Sequence, residues 1–172
     1  LLLSVVAPLF TGKRVCTLVD SWYMKRPYLE RVKQHGFHAI GQVRRDTALY
    51  DLPKPRSDRG RPRKYGDRYA AERVAQLPEF RRRLYLYGKY QWVRYRIAIC
   101  RARFLKGQLG MAGSLAAVEA EDGTLSTSRL LLSTDPALCA EEIISAYARR
   151  WSVEDVFNQL KNRWGWREAW QQ

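Results

Sequence analysis

Acidic residues are scarce in this chain: 17 Asp and Glu stand against 31 Lys and Arg in 172 residues, a formal charge of +14. So lopsided a balance points to a polyanionic partner, nucleic acid before a membrane surface. Long apolar runs are missing too. The opening LLLSVVAPLF falls short of the roughly 20 residues a spanning helix needs, so no membrane segment is expected. Without a basic stretch before it or a clear small-residue cleavage site after it, that segment reads as part of a buried helix rather than a secretory signal. The three cysteines, Cys16, Cys100 and Cys139, are odd in number and far apart. That excludes a disulfide framework and a zinc spacing, and fits a reducing, cytoplasmic setting. The two histidines, His35 and His38, have no third ligand at metal spacing and read as structural or surface groups. No internal repeat is present.

What is there suffices for a folded domain, since 46% of the residues are hydrophobic and six are Trp. Arg14 to Val19 (RVCTLV) is a short β-branched run of the kind buried on both sheet faces, and it ends on Asp20. KRPYLERVKQHG follows with helical spacing, Pro27 in its first turn and Gly36 at its end. Phe37 to Val43 then reads as a second strand, which makes a βαβ unit with a parallel pair. From Arg44 to Arg83 the composition turns to Pro, Gly and Arg, a basic excursion outside the core. Tyr85 to Phe104 resumes as β, with Val93, Tyr95, Ile97 and Ile99 on one face and Arg94 and Arg96 on the other. The alternation changes parity after Cys100, and a bulge or break is expected there. Met111 to Ala120 and Arg129 to Ser133 are two further strands about the turn EDGT. The segment from Cys139 to Trp166 reads as one long helix, with Cys139 placed where a capping box with Glu142 would prefer Ser or Thr.

On one continuous helix Tyr147, Arg150, Glu154 and Lys161 fall on a narrow stripe, beside an apolar face of Val153, Phe157, Leu160 and Trp164 that would dock it. Arg150 and Glu154 alone could be an ordinary i to i+4 ion pair worth about 0.3–0.5 kcal/mol. Asp20 gives the glutamate a second reading. An acid at the carboxyl end of a core strand lies where open α/β sheets bind ligands. Two carboxylates converging in a basic protein suit hard divalent cations that also contact phosphate, and two such ions can drive an in-line phosphoryl displacement.

The spacing Y-x2-R-x3-E-x6-K, met by Tyr147, Arg150, Glu154 and Lys161, resembles the YREK signature of insertion-sequence DDE transposases of the IS4/IS701-like group. LVDSWY, STDPALCAEEII and RRWSVEDVFNQLKN are similar in wording to that group. The resemblance implies an α/β fold with a partial RNase H-like core. Residues 1–49 would belong to that core, 50–133 would be a basic loop and β-rich insertion subdomain, and 134–172 would carry a long C-terminal catalytic helix. Asp20 and Glu154 would be the second and third acids of the triad and ligate Mg²⁺ or Mn²⁺, two ions in the complete enzyme. Tyr147, Arg150 and Lys161 would hold phosphates of the transposon end, and Trp92 would stack an extruded base. The implied partners are DNA, as transposon ends and target, and a second copy in a synaptic homodimer. The implied setting is the bacterial cytoplasm.

The family's first Asp belongs on an earlier strand, and none of the 19 residues before Asp20 is acidic. The chain therefore reads as the carboxyl-proximal part of a catalytic domain, inactive alone. The alternative is a non-catalytic DNA-binding remnant or a domesticated derivative. Two other basic features bear on DNA. Arg59-Gly60-Arg61-Pro62 matches an AT-hook core and reads either as a minor-groove reader or as a basic loop touching phosphates. Arg44 and Arg45, just past the second strand, are placed for phosphate contact.

Overall fold

A computed structural model describes residues 2–44, 46–54, 63–69, 71–103, 112–120 and 129–163. Its organising element is one curled mixed sheet. The strands are β1 (Cys16–Val19), β2 (His38–Val43), β3 (Ala48–Tyr50), β4 (Glu79–Leu86), β5 (Lys89–Arg103), β6 (Ala112–Ala120) and β7 (Arg129–Ser133). They lie in the order β1-β2-β7-β6-β5-β3, with β4 also pairing β5. Among the described strands only β1 and β2 run parallel, joined through α2 (Arg26–Gln34) as the βαβ reading expects. Pro27 sits in the first turn of α2, where its missing N–H costs nothing, and Gly36 follows the helix at φ +70°.

The sheet buries both faces, but over different parts of its area. Helix α4 (Ala140–Ala148) covers one face, setting Ile143, Ile144 and Tyr147 against Ile40, Val93, Tyr95 and Leu131. On the other face Leu29 and Val32 of α2 pack with Ala39, Val43, Cys100, Ala102 and Leu132. This staggered cover explains the parity change in β5. The expected bulge is absent: β5 runs in regular register with β6 through Arg101, and with β3 from Arg101 to Arg103. Val93 and Tyr95 are buried under α4, whereas Cys100 and Ala102 are buried on the opposite face under the α2 layer. The backbone keeps its pleat; the covering changes sides.

Other expectations are corrected by the same packing. β1 is an edge strand with half-exposed residues, not one buried on both faces. The opening segment forms a short α1 (Leu2–Val6) and a 3₁₀ turn at Ala7–Phe10, with Pro8 at the start of that turn. Val5 and Leu9 are exposed, so it is not a buried helix. The excursion from Arg44 to Arg83 contains β3, a short α3 (Ala71–Ala75) and the start of β4. β4 and β5 form a hairpin about Tyr87 (φ 54°) and Gly88 (φ 79°), the paired positive φ values of a tight two-residue hairpin turn.

Candidate active site

At the carboxyl edge of the sheet β1 ends on Asp20. Its Oδ1 accepts hydrogen bonds from the backbone N–H groups of Trp22 (2.8 Å) and Tyr23 (3.4 Å), an Asx turn that fixes the carboxylate at the strand's end. Helix α4 packs on β1 and leads into α5 (Trp151–Arg163). The single long helix expected here is broken. At Arg149 and Arg150 the chain tightens into i to i+3 bonds, Arg150 N–H to the Tyr147 carbonyl and Val153 N–H to the Arg150 carbonyl, each 3.1 Å. The Ser152 hydroxyl donates back to the Arg149 carbonyl at 2.7 Å, a side-chain bond of the kind that bends helices. A serine amid the bulky run ARRWSVED was the signal for this joint.

The break places Glu154 in the first turn of α5, where unpaired N–H groups favour a carboxylate. Arg150 spans the joint. Its Nη1 donates to Glu154 Oε1 at 2.8 Å, and its guanidinium lies 5.4 Å from the centroid of the Tyr147 ring. Burial works to lower the pKa of Arg150, but Tyr147 and Glu154 outweigh it and hold the guanidinium above its ordinary value. Tyr147 is buried at 5% exposure. Burial pushes its hydroxyl pKa up, Arg150 and Arg129 pull it back, and Asp20 adds to the rise. Asp20, Arg129, Tyr147 and Arg150 thus share one electrostatic neighbourhood, to which Glu154 is tied through Arg150. Lys161 is exposed on α5, two turns beyond Glu154.

Sequence reasoning missed two members of this neighbourhood. Arg129 begins β7, one residue beyond the Val43–Leu130 pair that marks the carboxyl edge of β2. Trp22 stands 71% exposed directly beside Asp20, with Lys25 Nζ 3.6 Å from its ring centroid. Its signal was the aromatic doublet in DSWY, read only as part of a resemblance.

The remaining candidates lie elsewhere. Arg44 is exposed past β2 and pairs with Asp46 at 3.2 Å. Arg45, Arg59 and Arg61 lie outside the described residues, as does Trp164. Trp92 is remote from Asp20. Through the registers, Val19 aligns with Gly41, Leu132, Leu115 and Ala98, so β5 is four strands away, about 19 Å. Trp92 lies a further five residues, about 17 Å, along β5 from the row of Asp20 and points away from α4. The apolar face of α5 does not dock as expected, for Val153 and Phe157 are about half exposed. Once the chain bends at Arg150, α5 no longer follows α4 across the sheet.

Asp20 and Glu154 offer hard oxygen ligands, the donor set that Mg²⁺ and Mn²⁺ prefer, while Asp20 Oδ2 and Glu154 Oε2 make no hydrogen bond among the described residues. No group of three or more His, Cys, Asp or Glu positioned for a metal occurs among the described residues. An acid at the carboxyl edge of an α/β sheet, with Arg129, Arg150 and Tyr147 in the same electrostatic neighbourhood, suits phosphate chemistry. A family model described as a transposase DDE domain matches residues 3–169. The chain belongs to the transposase DDE domain family. No curated protein matches it. Members of this family act on DNA and normally use divalent metal ions, which fits the basic charge and the oxygen donors. No helix among the described residues is long and apolar enough to cross a membrane.

Proposed function

We propose that this transposase domain takes part in metal-dependent cleavage and strand transfer at transposon ends, with Asp20 and Glu154 as two of the three DDE carboxylates. The observation that carries the reading is the linked set Asp20, Tyr147, Arg150 and Glu154 at one sheet edge. The Y-x2-R-x3-E-x6-K spacing supports assignment to the IS4/IS701-like group. On this reading residues 1–49 and 134–172 belong to an RNase H-like core, and 50–133 to an insertion whose β7 pairs with β2 of the core. The setting is the bacterial cytoplasm, and two copies would meet in a synaptic complex.

The roles follow from the chemistry of each side chain. The two carboxylates would hold Mg²⁺ or Mn²⁺, which when bound supplies Lewis-acid stabilisation of the phosphate and an activated oxygen nucleophile. Arg150 presents a planar fork that exchanges its bond to Glu154 for one to a phosphate when DNA arrives. The Tyr147 hydroxyl stays protonated at neutral pH, because burial first and then Asp20 raise its pKa, so it can donate to a phosphate oxygen. Arg129 joins Arg150 in offsetting the carboxylates. Lys161 adds a point charge farther along the strand of DNA. Trp22, exposed beside Asp20, adds a ring that can lie against a sugar or base.

Binding of Mn²⁺ followed by electron paramagnetic resonance tests the carboxylate pair, with nicking of supercoiled plasmid in Mg²⁺ or Mn²⁺ as the activity readout. Glu154→Gln should weaken Mn²⁺ binding at least ~10-fold and abolish any metal-dependent nicking, while DNA affinity stays near that of the parent. Unchanged Mn²⁺ binding in both Glu154→Gln and Asp20→Asn would sink the metal-ligand assignment.

A second reading is a DNA-binding remnant without chemistry, supported by the charge of +14, which suits phosphate contacts whether or not a metal is held. It predicts salt-dependent DNA binding with no nicking in either metal.

A further inference from the structure

Strand β2 presents a polar side chain to which no role has been given above. Ile40 and Gln42 lie two residues apart in β2 and so face the same way, and Ile40 is packed under α4. Gln42 is therefore on the α4 face of the sheet, partly buried in a strand whose neighbouring Gly41 and Val43 are buried. Its partner across β7 is Leu131, buried under the same helix. On the β1 side the parallel register pairs Leu18 with Ile40 and Val19 with Gly41, and its next step sets Asp20 beside Gln42. Arg129 stands two residues from Leu131 on the same face, at the start of β7. Because β2 lies between β1 and β7, Gln42 sits between Asp20 and Arg129. Tyr147 covers this part of the sheet, packing in one cluster with Leu18, Ile40 and Leu131 and interacting electrostatically with both Asp20 and Arg129.

Polar groups elsewhere on this face are satisfied within the fold. The Ser133 hydroxyl donates to the Asp135 carbonyl at 3.2 Å, that of Ser114 to the Pro136 carbonyl at 3.4 Å, and that of Tyr95 to Glu141. Gln42 makes no side-chain hydrogen bond among the described residues. A carboxamide on a largely apolar face is a cost to folding unless a partner reaches it. Its chemistry says which partner. Charged donors in this protein occupy the acids beside them, as Arg150 does Glu154 and Arg14 does Asp135. A neutral amide beside Asp20 offers two N–H donors and leaves that carboxylate its charge. Non-bridging phosphate oxygens are acceptors that such donors suit. We propose that Gln42 contacts the substrate, its side-chain N–H donating to a non-bridging phosphate oxygen of DNA drawn to this edge by Arg129, Arg150 and Tyr147. This contact rests on the reading of that edge as the DNA site, and it needs no metal. It fixes where the phosphate sits between an acid and an arginine, and adds no charge of its own.

The test is nuclear magnetic resonance of the full chain, labelled with ¹³C and ¹⁵N, titrated in EDTA with a 12-base-pair duplex. The Gln42 amide is assigned in the wild-type protein through its bonds to its own Cβ and Cγ. Its proton signal should move downfield as duplex is added; a signal unmoved at saturation overturns the proposal. Fluorescence anisotropy with the same duplex gives the second measurement. Gln42→Met, close in volume and without donors, should weaken binding about 3- to 10-fold and leave the log–log salt slope unchanged, because a neutral contact releases no counterion. Gln42→Glu, which exchanges the donors for a charge beside Asp20, should bind more weakly still. Arg129→Ala should instead flatten the slope by about 0.9. Parental affinity in Gln42→Met overturns the proposal, and so does a loss that flattens the slope, the mark of a disturbed basic surface. Should Arg129→Ala and Arg150→Ala both leave duplex affinity unchanged, the edge is not the DNA site and the role of Gln42 falls with it. Should they weaken binding while Gln42 stays silent, the role of Gln42 alone fails. Because EDTA removes any cation, failure of the metal-ligand assignment would leave these outcomes as they are.

Discussion

Helices α4 and α5 come from one stretch of sequence, separated by two residues, and they meet the sheet in opposite ways. In α4 the residues Ala140, Ile143, Ile144, Tyr147 and Ala148 are all buried. In α5 Val153, Val156 and Phe157 are each more than half exposed. One helix is clamped and the next is barely held, and Arg150 and Glu154 straddle the change. A site built there has one half pinned under burial, at Tyr147, and one half on a helix whose large apolar residues are half exposed. The difference also shows that apolar spacing alone does not dock a helix; the backbone must first carry the stripe over the sheet.

The largest effect expected from this contrast is on stability. Ile143 is fully buried between α4 and the sheet, so Ile143→Ala should cost about 2–5 kcal/mol in chemical denaturation. An effect under about 1 kcal/mol would mean that α4 is no better anchored than α5.

The base of α4 provides a second test, through pH. Asp135, 5% exposed, closes the loop between β7 and α4; it accepts hydrogen bonds from Arg14 Nε at 2.8 Å and from the Ala137 N–H at 3.1 Å, with His38 Nε2 at 3.7 Å. Burial pushes its carboxyl up, but Arg14, the Ala137 amide and His38 together hold it below the usual carboxylate range. A depressed folded pKa means that the unfolded chain binds the proton more readily, so this stability is present above about pH 4 and fades as pH falls through the folded value. Because Arg14 is 60% exposed, Asp135→Asn should cost only about 1–2 kcal/mol at pH 7. The gap between variant and parent should close near pH 3 in denaturation curves. A gap that persists there would put the contribution in packing rather than charge.

Features with a local signature were legible in the sequence. Helix α2 announced both ends through Pro27 and Gly36, and β7 matched its expected span of Arg129 to Ser133. The capping box of α4 forms around Cys139, whose N–H donates to Glu142 Oε2 at 2.9 Å, although its thiol stands where a hydroxyl was preferred. The Arg150–Glu154 pair was readable from i to i+4 spacing. What escaped depended on distant chain. The edge position of β1 and the change of cover along β5 are set by strand order, which no local pattern encodes. β4 was hidden by its arginines, since EFRRRLYL lacks the apolar alternation of a half-buried strand when its outward face is polar and aromatic. Arg129 joins Asp20 and Tyr147 only through folding.

The smallest expected effect sharpens the contrast from the α5 side. Phe157 offers a larger side chain than the buried isoleucines of α4, and its removal from a packed face would cost about 3–5 kcal/mol. At 51% exposure it has little to lose, so Phe157→Ala should change the unfolding free energy by no more than about 0.5 kcal/mol, near the surface-substitution range. Hydrogen exchange on the same protein gives the matching prediction: backbone amides of α5 should exchange faster than those of α4, because few buried contacts oppose local opening. If DNA or metal draws α5 against the β1 edge, both quantities should move together. Phe157→Ala would become costly, and exchange in α5 would slow only in the bound state. Protection of α5 equal to that of α4 in the free protein would instead mean that the bend at Arg150 leaves α5 docked, and the comparison between the two helices would fail.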